Sequence, residues 1–340
     1  MKDTIKKLVE AYGPSGNEER VRDVIVSMIR GYCDSISVDA LGNLIAFKKA
    51  GPAAADKAAA GAASKVMVAA HMDEIGLIVT HIDEKGFLRF APVGGVDPFT
   101  ILGQRVVFAN SATGAVWMEK LDKMSELKID RMFIDVGASS EKEASQRASI
   151  GDMAVFDRKM EENGDRIITK AADDRVGCAV VVEVMRRLKS VPHDAYFVFT
   201  VQEEVGTRGA TTSAFGIYPD VAIAVDVTRT GDTPKSDHMN VSLGKGAAIK
   251  VKDSRLVAHP GVRRLLVSTA TAHSIPYQME VLERGGTDAG PIHTTREGVP
   301  SGVISIPTRY VHTPVEMVDL RDVEACVRLL EKTLSGPMVL

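Results

Sequence analysis

The rhythm of apolar segments changes twice along this chain, and this change restricts its possible folds more than any other feature. After about residue 165, short β-rich apolar runs alternate with segments of helical periodicity, an order that is typical of an α/β layered domain. We expect strands in "AYFVFTVQ", "VAIAVD" and "SGVISI", and helices in "DRVGCAVVVEVMRRLKS" and "HPGVRRLLVSTATAH". Residues 75–160 differ, because their many short apolar runs, separated by Gly, Pro and Asp turns, predict an all-β region.

The N-terminal segment supplies the rest of the α/β domain. It contains a helix at about 2–11, a second amphipathic helix after "GPSGNEE", a strand near 43–48 and the apolar run "KVMVAA". The simplest assembly is a discontinuous α/β domain, residues 1–72 and 163–340, that carries an inserted all-β domain at 73–162. A chain of 340 residues is long enough for this arrangement. The Ala- and Gly-rich stretch 51–64 predicts an exposed loop without a chemical role.

Charge and composition argue against several function classes. The formal net charge is −3 and no basic block is present, whereas binding to nucleic-acid phosphates requires a surplus of Lys and Arg. No segment approaches the roughly 20 apolar residues of a membrane span, and the amphipathic N-terminus does not resemble an export signal. The three cysteines are widely spaced, so neither a disulfide framework nor a thiolate zinc site is indicated. We expect a cytoplasmic protein without nucleic-acid or membrane partners.

Residues that can bind a metal ion follow the predicted strands, at the point where each strand ends. In open α/β sheets ligands bind beyond the carboxyl ends of the strands, so positions that are distant in sequence are expected to converge there. Asp173 is placed differently, because it opens the helix that starts in "KAADDRVG". The strand-end residues are His71 and Asp73 after "KVMVAA", Glu203 and Glu204 after "AYFVFTVQ", Asp226 at the end of "VAIAV", and His312 after "SGVISIPTRYV".

Together these side chains have the chemistry of a two-metal site. Two imidazoles and three carboxylates suit a pair of divalent cations that share one carboxylate, and such a set favours Zn or Co over Ca. The five candidate ligands are His71, Asp173, Glu204, Asp226 and His312. Two metal ions can activate a bridging water and polarise a carbonyl, but a base must still take the proton of that water. Glu203 is the free candidate, and Asp73 is placed to accept the second N–H of His71.

Each of these residues also has an ordinary structural explanation. An aspartate at the end of a strand often caps a turn, a histidine there is often structural, and "DD" before a helix is commonly a cap. Their joint placement favours the metal site. Rival enzyme classes lose support because the chain contains no HExxH, GxSxG or GxxxxGK[ST] motif.

Six ordered motifs resemble those of the M42 metallo-aminopeptidases, a family that includes the tetrahedral TET peptidases. The resemblance implies a layered, mixed-sheet core with two Zn or Co ions per subunit, and it implies an exopeptidase that removes N-terminal residues from peptides. It assigns His71 and Asp226 as terminal ligands, Asp173 as the bridge, and Glu204 and His312 as the remaining ligands. It further implies that Glu203 is the general base for a metal-bridging water and that Asp73 orients His71. The motifs are "AHMDEIG", "KAADDRVG", "VQEEVGTRGA", "AVDVT", "GGTDAG" and "YVHTPVEM".

The same resemblance has consequences for assembly and local geometry. The inserted domain would be an oligomerisation domain, and homo-oligomers of this family are commonly dodecamers built from dimers. The peptide bond between Asp173 and Asp174 is expected to be cis, as it is in metallopeptidases with related dinuclear sites.

Two alternatives and one question of specificity remain open at this stage. Some members of the family carry the label endoglucanase, but a glycosidase needs two facing carboxyl groups about 5–9.5 Å apart, and Glu203 and Glu204 are adjacent residues. A catalytically inactive assembly protein of the same fold is the second alternative, and the intact ligand set argues against it. The positions of Arg229, Lys235, Arg284 and Asp288 near the expected pocket suit either an acidic substrate residue or ordinary salt bridges.

Overall fold

The computed structural model of this protein describes residues 1–51, 64–236 and 238–340. The loop predicted at 51–64 lies outside the described residues apart from its two ends. The N-terminal segment forms helices α1 (Lys2–Val9) and α2 (Glu19–Ile29) and strands β1 (Ser35–Val38), β2 (Leu44–Lys48) and β3 (Lys65–His71). The predicted α/β architecture is confirmed, because helices lie on both faces of a large mixed sheet.

The middle of the chain forms a closed barrel. Its strands are β4 (Gly76–Ile82), β5 (Phe87–Val93), β6 (Arg105–Phe108), β7 (Thr113–Met118), β8 (Met132–Asp135) and β9 (Met153–Phe156). They close in the order β4-β5-β8-β7-β6-β9 around a hydrophobic cluster of their own. The region is not purely β, since it also contains 3₁₀ turns at Met124–Glu126 and Ile129–Arg131 and two short α-helices, α3 (Pro98–Ile101) and α4 (Glu141–Ala144), which begin at the capping residues Asp97 and Ser140.

The C-terminal half completes the large sheet and its helical layers. Its elements in chain order are β10 (Glu161–Asn163), β11 (Arg166–Thr169), α5 (Ala172–Arg187), β12 (Asp194–Thr200), α6 (Arg208–Ile217), β13 (Val221–Thr228), β14 (Ala247–Lys252), α7 (Pro260–Ala272), β15 (Tyr277–Val281), α8 (Ala289–His293), β16 (Ser301–Arg309), β17 (Glu316–Asp319) and α9 (Leu320–Leu334). Among the described residues, none of these helices has the length and apolarity to cross a membrane.

Parallel pairing at the centre of the sheet determines where the site lies. The strand order is β1-β2-β12-β3-β13-β16-β17-β11-β10, with β14 beside β16 and β15 beside β14. The four central strands β12, β3, β13 and β16 are parallel, with Thr200 opposite His71 and Asp226 opposite Ser305. Their carboxyl ends therefore meet at one edge.

The apolar run of β3 shows why the sequence forms a central strand. Val66, Val68 and Ala70 contact the cluster that includes α1, α5 and α9, whereas Met67 and Ala69 face the cluster beneath α6. All five side chains are at most 1% exposed. A strand covered on both faces needs apolar residues at every position, because none of its side chains faces water. Burying a large apolar side chain in this way stabilises the fold by about 1.5–3 kcal/mol.

Candidate metal centre

The structure brings the five predicted ligands together at the carboxyl edge of the sheet. His71 is the last residue of β3, and its Nε2 lies 3.0 Å from Asp173 Oδ1 and 3.9 Å from Asp226 Oδ1. His312 follows β16, and its Nε2 lies 3.2 Å from both Asp173 Oδ2 and Glu204 Oε2. Asp173 thus directs one carboxylate oxygen toward each imidazole, as a carboxylate shared by two cations would.

Irregular backbone presents these side chains. Asp173 and Asp174 have non-helical torsion angles inside α5, and the peptide bond between them is cis, as predicted. His312 has φ +65°, a left-handed conformation that is uncommon for a residue other than glycine. Glu316 connects the two irregular segments, because its carboxylate accepts from the backbone N–H of His312 at 2.8 Å and from that of Asp173 at 3.2 Å.

Asp73 is buried behind His71 and contacts more than that imidazole. Its Oδ1 lies 3.4 Å from His71 Nδ1 and accepts from the Glu203 N–H at 2.9 Å. Its Oδ2 accepts from the Glu204 N–H at 3.1 Å and from the Ser15 hydroxyl at 2.6 Å. Burial alone would raise the pKa of Asp73, but the hydrogen bonds from His71 and Ser15 outweigh it and the pKa is lowered. Asp73 therefore fixes both the imidazole and the segment that carries Glu203.

The charges of the cluster fit divalent cations. Burial raises the pKa of Asp226 and Glu204, and the negative charge of Asp173 adds to this effect at both residues. Burial opposes protonation of His312, yet Glu204 and Asp173 raise its pKa to about 11. Glu204 Oε1 is buried and has no hydrogen-bond partner among the described residues. Carboxylates crowded in this way are stabilised by protons or by cations between them, and divalent cations supply that positive charge.

Among the residues that the structure describes, two groups of potential ligand atoms are close enough to hold an ion. His71, Asp173 and Glu204 form one group, and His71, Asp174 and Asp226 form the other, with the atoms of each group within 4.8 Å of one another. Asp174 was predicted only for its peptide bond. Its Oδ2 accepts from the His71 N–H at 3.2 Å and its Oδ1 from the Gly177 N–H at 3.1 Å. Its carboxylate therefore lies directly beneath the cluster.

The cluster opens into a cavity of about 620 Å³. Glu203 lies on its wall and belongs to neither ligand group. Arg229, Arg255 and Arg284 also line it, and none of them forms an ion pair within the described part of the chain. Lys235 lines a neighbouring cavity with Arg229 and Arg284. Asp288, expected near the pocket, is buried beside the cluster, where its charge adds to the effect of burial in raising the pKa of Glu203 and Asp226, and its carboxylate accepts from the Thr200 hydroxyl.

The barrel contributes one wall of the site. The turn after β5 places Gly94 and Gly95 against the cluster. A Cβ added to Gly95 would lie 2.6 Å from His312 Nδ1, and one added to Gly94 would lie 3.2 Å from Glu204 Oε2. Only glycine allows the backbone to approach these side chains so closely.

Comparison with known proteins identifies relatives along nearly the whole chain. A profile described as M42 glutamyl aminopeptidase matches residues 51–329. The lysyl aminopeptidase of Pyrococcus furiosus is 37% identical over 349 residues, which cover 98% of this chain and 96% of the relative.

Solved structures of aminopeptidases also resemble this chain over nearly its whole length. An aminopeptidase of the archaeon Desulfurococcus kamchatkensis is 42% identical and superposes with a TM-score of 0.92 over 98% of this chain and 94% of its own. A TET peptidase of Pyrococcus horikoshii, which can assemble into a tetrahedron or a large octahedral shell, is 32% identical, with a TM-score of 0.86 over 98% of this chain and 99% of its own.

Proposed function

Because this chain belongs to the M42 family of peptidases and is therefore a hydrolase of peptide bonds, we propose that it is a dinuclear metal-dependent aminopeptidase. The observation that carries the proposal is the position of Asp173, whose two carboxylate oxygens face His71 on one side and His312 on the other at 3.0 and 3.2 Å. A ligand between two imidazoles in a cluster rich in carboxylates is suited to bridge two ions.

The proposed ligands divide between two sites that share Asp173. His71 and Asp226 would hold one ion, and Glu204 and His312 the other. Zn²⁺ or Co²⁺ at these sites would act as a Lewis acid toward the peptide carbonyl and lower the pKa of water. Asp73 keeps His71 in the orientation in which Nε2 faces Asp173, because both its backbone carbonyl oxygen, at 3.2 Å, and its Oδ1, at 3.4 Å, lie next to Nδ1.

Glu203 is proposed as the general base. Its side chain lines the cavity beside the ligands, while its backbone N–H is held by Asp73 Oδ1 at 2.9 Å. The carboxylate would accept a proton from the attacking water and then donate it to the amine that leaves. Burial raises the pKa of Glu203, and the neighbouring carboxylates add to this effect. A raised pKa brings such a group nearer to the value that proton transfer at neutral pH requires.

Glycoside hydrolysis is the weaker candidate. It would need two carboxyl groups on opposite sides of one bond, whereas Glu204 Oε2 faces His312 at 3.2 Å and is part of a ligand group. It would also leave His71 and His312 without a role. An inactive assembly protein would have no need for a free carboxylate, that of Glu203, beside the proposed ligands.

The barrel within residues 73–162 is proposed as the oligomerisation domain of a cytoplasmic enzyme whose catalytic domain comprises 1–72 and 163–340. Phe99, Trp117 and Ile150 lie in this segment and are more than half exposed, at 57%, 53% and 66%. We propose that these side chains belong to a surface that binds another subunit. We propose a homo-oligomer of twelve subunits built from dimers. Its six dimers would correspond to the six edges of a tetrahedron.

A screen of aminoacyl-nitroanilides with protein loaded with Zn or Co tests the activity, and Glu203→Gln tests the mechanism. The variant keeps the shape of the side chain but cannot accept the proton. We expect both metal ions to be retained and kcat to fall by about 10²–10⁴-fold, the usual contribution of a general base. Near-normal kcat in the fully metallated variant would exclude this role for Glu203. Hydrolysis of carboxymethylcellulose without hydrolysis of any nitroanilide would favour the glycosidase.

A further inference from the structure

Four consecutive backbone amides surround the proposed base, and each of them is held by a side chain from elsewhere in the chain. We call residues 201–204 the catalytic turn. It follows β12 directly and lies outside the regular elements, and the carbonyls of Val201 and Gln202 accept from the backbone N–H groups of Gly209 and Arg208 at the start of α6. The hydrogen bonds run from Val201 to Asn43 Oδ1 at 3.1 Å, from Gln202 to Glu18 Oε1 at 3.1 Å, from Glu203 to Asp73 Oδ1 at 2.9 Å and from Glu204 to Asp73 Oδ2 at 3.1 Å.

The contact made by Glu18 is the least expected of the four. Glu18 stands at the start of α2, is 4% exposed, and belongs to neither ligand group. Its Oε1 also accepts from the Gly16 N–H at 2.7 Å, so the same oxygen joins the N-terminal loop to the catalytic turn. Ser15, in the same loop, donates to Asp73. The loop therefore supports the turn at two points.

The residue that Glu18 holds needs this support. Gln202 has φ +55°, in the left-handed region, where a residue with a side chain is strained. Such a conformation persists where surrounding contacts over-determine it. Gln202 immediately precedes Glu203, so a change in its torsion angles would redirect the carboxylate of the base.

We infer that Glu18 is a positioning residue, which holds the Gln202 amide and thereby aims Glu203 at the metal cluster. The inference rests on the proposed function, because it takes Glu203 as the base. What matters is the acceptor oxygen and not the charge of Glu18. Burial raises the pKa of Glu18 to about 7, so replacing the carboxylate with a neutral amide changes its electrostatics less than it would at the surface.

The experiment compares Glu18→Met, which fills the space without a strong acceptor, with Glu18→Gln, which keeps the acceptor. Glu19→Ala is the matched control, because Glu19 is the exposed neighbour. Elemental analysis gives the metal content, steady-state kinetics on an aminoacyl-nitroanilide give kcat and KM, and hydrogen–deuterium exchange follows the amides of residues 201–204. Glu18→Ala replaces Glu18→Met if the latter does not fold.

For Glu18→Met we expect both metal ions, an unchanged KM, a kcat lower by roughly tenfold and exchange at the turn faster by roughly tenfold. Glu18→Gln and Glu19→Ala should stay within about twofold of the parent. Equal losses in Glu18→Gln and Glu18→Met would overturn the inference, because charge would then be the cause. Loss of metal ions, or unchanged kcat and exchange in Glu18→Met, would overturn it as well. A parent protein that hydrolyses no aminoacyl substrate would refute the proposed function, and the exchange data would still test the contact with Gln202.

Discussion

The contact between the barrel and His312 makes a strong prediction for one methyl group. In Gly95→Ala the new Cβ would lie 2.6 Å from His312 Nδ1 and 3.0 Å from Cε1. Ordinary contact between such atoms requires about 3.5 Å, so the imidazole and the turn must separate by roughly 0.9 Å. His312 Nε2 lies 3.2 Å from both Asp173 Oδ2 and Glu204 Oε2, and a movement of that size would remove it from ligand geometry.

We expect kcat/KM of Gly95→Ala to fall by about 10- to 100-fold, because misplacing a group in an active site by about 1 Å commonly costs that much. The free energy of unfolding should change little, since Gly95 is exposed. The assay is nitroanilide hydrolysis with metal content measured in parallel. Gly216→Ala is the control, because its added Cβ would meet no atom within 4 Å. Parent-like kcat/KM in Gly95→Ala would refute the argument that this turn constrains the ligand.

Three further predictions concern acid stability, specificity and assembly. Burial lowers the pKa of His193 to about 4, so this imidazole stays neutral in the folded state, whereas in the unfolded chain it binds a proton below about pH 6.5. Between pH 7.5 and pH 5 the protein should therefore lose on the order of 2 kcal/mol of unfolding free energy that His193→Leu does not lose. Equal losses for the two proteins in urea titrations would contradict this. Arg255 and Arg284 line the cavity and form no ion pair with a described residue, so a glutamyl substrate should have a higher kcat/KM than a lysyl substrate. Arg284→Met should lower the ratio of these two kcat/KM values roughly fivefold, and an unchanged ratio would exclude Arg284 from substrate recognition. Light scattering at micromolar concentration should detect an assembly, Trp117→Lys in the barrel should yield smaller species, and a monomeric parent would contradict the proposed role of the barrel.

The sequence predicted the parts of the fold that depend on local pattern. The central strands are continuous apolar runs because both faces are covered, so β3, β12, β13 and β16 could be identified from these runs in the sequence. Their parallel pairing then explains why His71 and Asp226, which are 155 positions apart in the printed sequence, lie within 4 Å of each other. The roles of these residues in binding metal ions stay predictions.

What the sequence did not reveal depends on long-range contacts to the backbone. Glu316 lies within the motif "YVHTPVEM", but nothing in the sequence indicates that it accepts from the amides of His312 and Asp173. In the sequence, Glu18 is only a polar residue of "GPSGNEE" before a predicted helix. No pattern indicates that the amide it binds belongs to Gln202. The sequence also does not indicate the short strand β15, because its pattern is weak and, within the described part of the chain, it pairs with β14 alone at the margin of the sheet.

The most direct test of the central claim is a titration of metal-free protein with Zn²⁺ or Co²⁺, in which bound metal and nitroanilide hydrolysis are measured on the same samples. The dinuclear site predicts no activity without metal, saturation at two ions per chain, and activity that rises as the second ion binds. Full activity in protein that elemental analysis shows to be free of metal would contradict the account, and so would saturation at a single ion.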